Sequence, residues 1–218
     1  MNESESHGVP LTLSRADIDA LDKRHRTNLI NCLSGFKGVN LLGTADAAGR
    51  TNLAIMSSAF HVGAAPPLIG VLLRPHTVPR HSLENLLETG GYTLNHVDRS
   101  MVERAHRTSA RWPREVSEFD ACGFTPERTD AVAAPYVAQS PVRIALSLAE
   151  RHTLMNGTVL LVGELQEIRL RADLRAEDGQ LDLAAFEVVA ACGLDEYHET
   201  RRLTRLPYAR VDGPGGSG

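Results

Sequence analysis

Between Arg74 and Asn85 the chain gathers Arg74, His76, Thr77, Arg80, His81, Ser82 and Asn85: cations, hydroxyls and an amide in one short stretch. Leu83, Leu86 and Leu87 fall at helical spacing and Gly90–Gly91 closes the run, so a short helix is expected over about 82–88. The donors therefore converge on a helix start, where free backbone N–H groups and the helix dipole favour an anion. A phosphate suits that chemistry. The plainer alternative is that Ser82 caps the helix and the arginines are solvated.

Thr44, Asn52, Ser57 and Ser58 lie just before this cluster on two expected strands. They could supply donors along the edge of a planar heterocycle, or Asn52 could be a turn residue and the serines incidental strand hydroxyls. Other chemistries find no motif. There is no GxGxxG or GxxxxGK[ST] loop and no GxSxG nucleophile elbow. His76 and His81 stand without an HExxH or a third converging ligand, so no metal site is expected. Cys32, Cys122 and Cys192 are odd in number and show no CxxC spacing; all three are expected to be reduced, buried thiols.

The elements that must position these groups can be read in outline. Ser14 and Asp17 have capping-box spacing, so a helix should start at Ser14, with Ile18, Leu21, Leu29 and Leu33 on one face and Lys23–Arg26 on the other. Val39–Thr44 and Thr51–Ala59 flank a turn at Asp46–Gly49 and read as a hairpin. Leu68–Leu73 is an unbroken apolar run, expected as a strand buried on both faces. Tyr92–Val97 returns to strand. Residues 100–140, punctuated by Pro and Gly, look like an insertion, with a helical turn at Met101–His106. Val142, Ile144, Leu146 and Leu148 alternate with polar and small residues, which predicts a half-buried strand. Asn156–Gly157 has the residues of a type I′ turn leading into a long return strand, Thr158–Leu170. Asp178–Gly179 marks a further turn, and Leu183–Ala191 could be a helix. No βαβ alternation is sustained, so the expected class is mainly β with helical additions, an antiparallel barrel.

At 218 residues, with 42% hydrophobic and 23% charged positions, this is the composition of one globular domain, 1–218, with flexible ends at 1–10 and 212–218. A net charge of −4 argues against nucleic-acid partners. No apolar run approaches the roughly 20 residues that span a bilayer. MNESESHGVP lacks the basic and apolar regions of a secretory signal, so a cytoplasmic location without membrane attachment is expected.

Five segments, in order, carry a resemblance over nearly the whole chain: NCLSGFKGVNLLGT, TNLAIMSSAFHVG, PPLIGVLLRPHTVPRHSLENLLETGGYTLNHV, HRTSARWPREVSEFDACGFTP and LPYAR. Together they resemble the flavin reductase-like family of FMN-binding split barrels. The resemblance implies an antiparallel split β-barrel and a homodimer holding FMN near the subunit interface. It also implies reduction of flavin by NADH or NADPH, in some members for a partner monooxygenase. It places Thr44, Asn52, Ser57 and Ser58 at the ring and ribityl chain, and Arg74, Thr77, Arg80, His81 and Asn85 at the phosphate. His106–Arg111 is similar to the family's HxTSAxY pattern, which adds Ser109 and Arg111 as candidate contacts. ERHTLMNG departs from the family's GDH pattern, so His152 is left out of the site.

In the expected reaction the cofactor carries the reactivity and the protein positions two rings, so no catalytic side chain is assigned. Other readings of the same scaffold are an FMN-holding electron carrier, a flavin-dependent oxidase or oxygenase of an organic substrate, and an interaction module that has lost its flavin.

Overall fold

The structure is a computed structural model that describes residues 10–75 and 79–209. Seven strands form the main sheet: β1 (Asn40–Ala45), β2 (Thr51–Met56), β3 (Ala59–Ala64), β4 (Pro67–Leu73), β5 (Gly91–His96), β6 (Val142–Thr153) and β7 (Val159–Leu170). Their spatial order is β2-β1-β5-β6-β7-β4-β3, antiparallel throughout. The two edge strands, β2 and β3, are consecutive in the chain and joined only by Ser57 and Ser58. Three Cα steps reach about 11 Å, whereas seven strands laid flat at about 4.8 Å spacing put the outer two roughly 29 Å apart. The sheet must therefore curl until its edges meet. No ladder joins β2 to β3 among the described residues, so the curled sheet stays split along that seam.

Side-chain alternation sorts this sheet into two cores. Leu42, Val71, Tyr92, Leu94, Leu146 and Leu161 fill the inside of the curl, closed at one end by Leu83 and Leu86 of α3 (His81–Thr89). Leu41, Leu53 and Val97 face outward and pack against Met101, Ala105, Phe119 and Phe124. These come from the inserted segment, which carries α4 (Val102–Arg107) and α5 (Glu118–Cys122). The strands buried on both faces are thus β1 and its neighbour β5, and the insertion covers the outer side of β1. The Leu68–Leu73 run is only partly buried, since nothing comparable covers its outer face and Phe60 lies across Gly70.

Several expectations change. Ser14 does cap a helix through a full capping box, but that helix is Arg15–Ala20 (α1). Asp22, accepting from the N–H groups of Arg24 and His25, starts a second, α2 (Lys23–Leu33). Neither buries a residue; Leu33, placed on the expected apolar face, is 70% exposed. Thr51–Ala59 is two strands, broken at Ser57, and β3 was not foreseen. At Asn156–Gly157 only Gly157 has positive φ (79°), so the turn is not type I′. Gly157 N–H bonds to Leu154 O at 2.8 Å, and Asn156 instead accepts the Thr158 N–H through its side chain. Leu183–Ala191 is not a helix. It turns at Glu187 (φ 53°) and enters a short strand, Ala190–Cys192, which pairs with Lys37–Gly38 and Glu196–His198. Of the thiols only Cys122 is buried; Cys32 is exposed and Cys192 partly so. No described helix is long and apolar enough to cross a membrane.

Candidate functional site

The start of α3 is fastened to the ends of β1 and β2. Thr44 and Asn52 are directly opposed in the β1–β2 ladder. The Asn52 Nδ2 donates to Ser82 Oγ at 2.8 Å, and the Asn85 Nδ2 donates to Thr44 Oγ1 at 3.3 Å. Ser82 therefore bonds across to the sheet and does not cap the helix. Arg80 occupies the cap position, makes no side-chain cap bond, and leaves the first turn's N–H groups without one. Its own backbone N–H is taken by Glu84 Oε1 at 3.1 Å, while its Nε is buried without a hydrogen-bond partner among the described residues. A buried donor without an acceptor is costly, and here it stands beside a helix start that favours anions.

A shallow recess beside this turn is lined by Asp46, Arg50, Thr51, Asn52, His81, Asn85, Arg114 and Val116. Arg114 organises it: Nη1 donates to Glu84 Oε2 at 2.6 Å, Nη2 donates to Asn85 Oδ1 at 3.1 Å, and Asp46 Oδ2 lies 3.8 Å away. With Oδ1 occupied by Arg114, the Asn85 amide nitrogen is turned to Thr44. Asp46 sits in the β1–β2 turn. The Arg50 guanidinium bonded to it at 2.7 Å holds its carboxyl below the usual range, helped by the backbone N–H groups of Arg50 and Ala48. Asp46 thus stays charged and the turn stays closed.

β2 is an edge strand whose outward N–H groups are answered by side chains of the insertion. Leu53 N–H donates to Glu118 Oε2 at 2.9 Å, and Ile55 N–H donates to Thr108 Oγ1 at 2.8 Å. Thr51 Oγ1 and Ser117 Oγ are 2.7 Å apart. This blunts the edge against pairing with another strand. Burial raises the Glu118 carboxyl, with Leu53 N–H and nearby His81 acting the other way. A folded carboxyl raised above its unfolded value binds more protons than the unfolded chain, so it costs stability as pH rises from about 4.3 through its folded value. Glu118→Gln keeps an acceptor for Leu53 and removes that cost. Thermal melts from pH 4 to 8 should show the variant losing less stability than wild type as pH rises; parallel curves would refute this.

Residues 33–187 match the family model described as flavin reductase like domain. The chain belongs to that family. Among solved structures, this flavin reductase-like chain is 45% identical, with a TM-score of 0.88, to a candidate flavin reductase with a split barrel domain from Shewanella frigidimarina NCIMB 400; the match covers 92% of this chain and 100% of that one. It also shares its fold with nitrilotriacetate monooxygenase component B from Bacillus cereus, at 19% identity and TM-score 0.81 over 91% and 100% of the two chains. Flavoredoxin of Desulfovibrio vulgaris (Miyazaki F) is similar at 24% identity and TM-score 0.70, over 80% and 92%.

Of the site residues expected in this flavin reductase-like chain, Thr44, Asn52, Arg80, His81 and Asn85 come together around the start of α3. Ser57 and Ser58 sit at the split between the barrel edges, with Ser58 Oγ donating to Leu72 O at 2.7 Å. Arg74 is exposed just beyond β4. Thr77, with His76, lies outside the described residues. Ser109 and Arg111 are exposed after α4, and neither lines the recess. Ser109 Oγ donates to His106 O at 2.7 Å. Trp112, next to Arg111 in the chain, turns inward onto the outer core and donates to Arg107 O. Arg114, Asp46, Glu118 and Thr108 were not foreseen. Only Glu118 carried a hint, an acid beside the apolar Phe119; the hydrogen-bond partners of Arg114, Glu84 and Asn85, lie some thirty positions away, where no local spacing points. Among the described residues no cluster could hold a metal ion.

Proposed function

We propose that this chain is an NAD(P)H-dependent FMN oxidoreductase with one domain that acts as a homodimer. The observation that carries the reading is the buried, unanswered Arg80 Nε beside an uncapped helix start. That donor set fits a phosphate ester, and family membership makes the ester a flavin's. Arg80, His81, Thr77 and Arg74 would hold the phosphate. Thr44, Asn52 and Asn85 would face the ribityl chain, and Ser57–Ser58, at the end of the β2 row of outward N–H groups, the ring. Ser109 and Arg111 would complete the site from the surface, where a second subunit could bring them to FMN or nicotinamide.

When bound, FMN supplies the ring system that accepts hydride from the nicotinamide. The side chains bind and orient; none has to move a proton, and none is assigned a catalytic role. The proposed role includes serving a partner monooxygenase. Support for a partner of that kind is the shared fold with a protein named as a monooxygenase component B.

The test is the visible spectrum of FMN-loaded protein without oxygen, before and after NADH and then NADPH. Fast bleaching by one of them is expected and identifies the donor. A bound flavin band untouched by both would contradict the reductase reading in favour of the electron carrier or the oxidase or oxygenase of an organic substrate.

A further inference from the structure

Cys32 and Cys192 are far apart in sequence, and the fold brings their sulfurs together. Cys32 is in the last turn of α2, and Cys192 ends the strand Ala190–Cys192. The Cys192 thiol is the leading influence on the Cys32 thiol, as expected of neighbouring side chains. A Cβ placed on Gly193 would stand 3.2 Å from Cys32 Sγ, so the backbone leaving Cys192 runs against that sulfur, and the missing side chain leaves it room. Lys37 holds both sides in place. Its strand pairs Lys37 with Ala191, next to Cys192, and its Nζ donates to Asn31 O at 2.9 Å, next to Cys32, and to Gly35 O at 3.2 Å. Beyond this corner α2 has little holding it, since it buries no residue.

We propose that Cys32 and Cys192 form an intramolecular disulfide under hydroperoxide, making this corner a reversible modification site that covalently ties α2 to the three-stranded sheet. The sulfur of one cysteine attacks a peroxide oxygen; an S–O bond forms, the O–O bond breaks and one water leaves. The second thiol attacks that sulfur, the S–S bond forms, and the sulfenic oxygen leaves as a second water. Two thiols are oxidised and one hydrogen peroxide is reduced to two waters. A dithiol reverses the bond by exchange. The Cys192 thiol raises the pKa of Cys32, so the pair closes through proximity and not through an abundant thiolate. Cys122, buried in the outer core, is an internal control.

The experiment treats the full-length protein with hydrogen peroxide, unfolds it, labels free thiols, and maps peptides by mass. The expected result is loss of two of the three thiols, a mass lower by two hydrogens, a Cys32–Cys192 cross-linked peptide, and full reversal by dithiothreitol. Cys122→Ser should behave the same, whereas Cys32→Ser and Cys192→Ser should yield no intramolecular bond. Three labelled thiols after treatment, oxygen adducts on Cys32 without a cross-link, or only intermolecular links would each overturn the proposal. No flavin is needed, so the outcome is independent of the proposed function.

Discussion

Arg80→Ala should weaken FMN binding about 10- to 100-fold, the size of one charge-assisted hydrogen bond of about 1.5–3 kcal/mol. The argument rests on the state of Arg80 before any ligand arrives. Its Nε is buried with no acceptor, and α3 begins without a side-chain cap. On the proposed function, an incoming phosphate oxygen would answer both. The free protein has already borne the cost of burying the donor, so little reorganisation opposes binding. Riboflavin has the same ring and ribityl chain and no phosphate, so its affinity should not change in the variant. Fluorescence titrations of wild type and variant with both ligands separate the cases. An equal loss for FMN and riboflavin would mean that Arg80 supports the fold of α3 and not the phosphate.

Gly43→Ala should cost about 2–6 kcal/mol of stability, the sum of overpacking and a disrupted buried hydrogen bond. For a chain of this size that is a fall in Tm of roughly 5–20 °C. Gly43 lies mid-β1, where both faces of the strand are buried. A Cβ there would stand 2.4 Å from Thr93 Oγ1 and 2.6 Å from Pro135 O. These two atoms are themselves bonded at 2.7 Å, and Thr93 Oγ1 also accepts from Asn95 Nδ2, whose Oδ1 accepts from Val137 N–H. The methyl group would break into this fully buried network, which pins the insertion to the barrel. Scanning calorimetry reads the effect; an unchanged Tm would show that the segment at Pro135 can yield freely.

The difference between what the sequence disclosed and what it hid follows the range of the interactions. The β1–β2 hairpin, the helix ended by Gly90 and the long hairpin of β6 and β7 are set by turn residues and period-two or helical spacing within a few positions, and all are present. Gly90 sits at φ 71°, as a helix-ending glycine should. The covering of β1 was not legible, because the groups that bury its outer face come from the insertion and from Val189 and Ala191. Double burial therefore falls on Asn40–Ala45 and Gly91–His96 and not on Leu68–Leu73. The failed helix at Leu183–Ala191 has the same cause: a local helical pattern loses to pairing with Lys37–Gly38, a partner far away in sequence. In the site, Arg80, His81 and Asn85 were visible as a local cluster. Arg114 and Glu118 were not, since each acts on a strand or helix some thirty to sixty-five residues away.

The central claim is that the start of α3 holds a flavin phosphate. The most direct measurement is a paired titration of the wild-type protein with FMN and riboflavin, followed by flavin fluorescence. Saturable FMN binding with riboflavin weaker by at least about tenfold is the predicted result, because only FMN answers Arg80 and the open helix turn. Equal affinities, or no saturable binding of FMN, would contradict it.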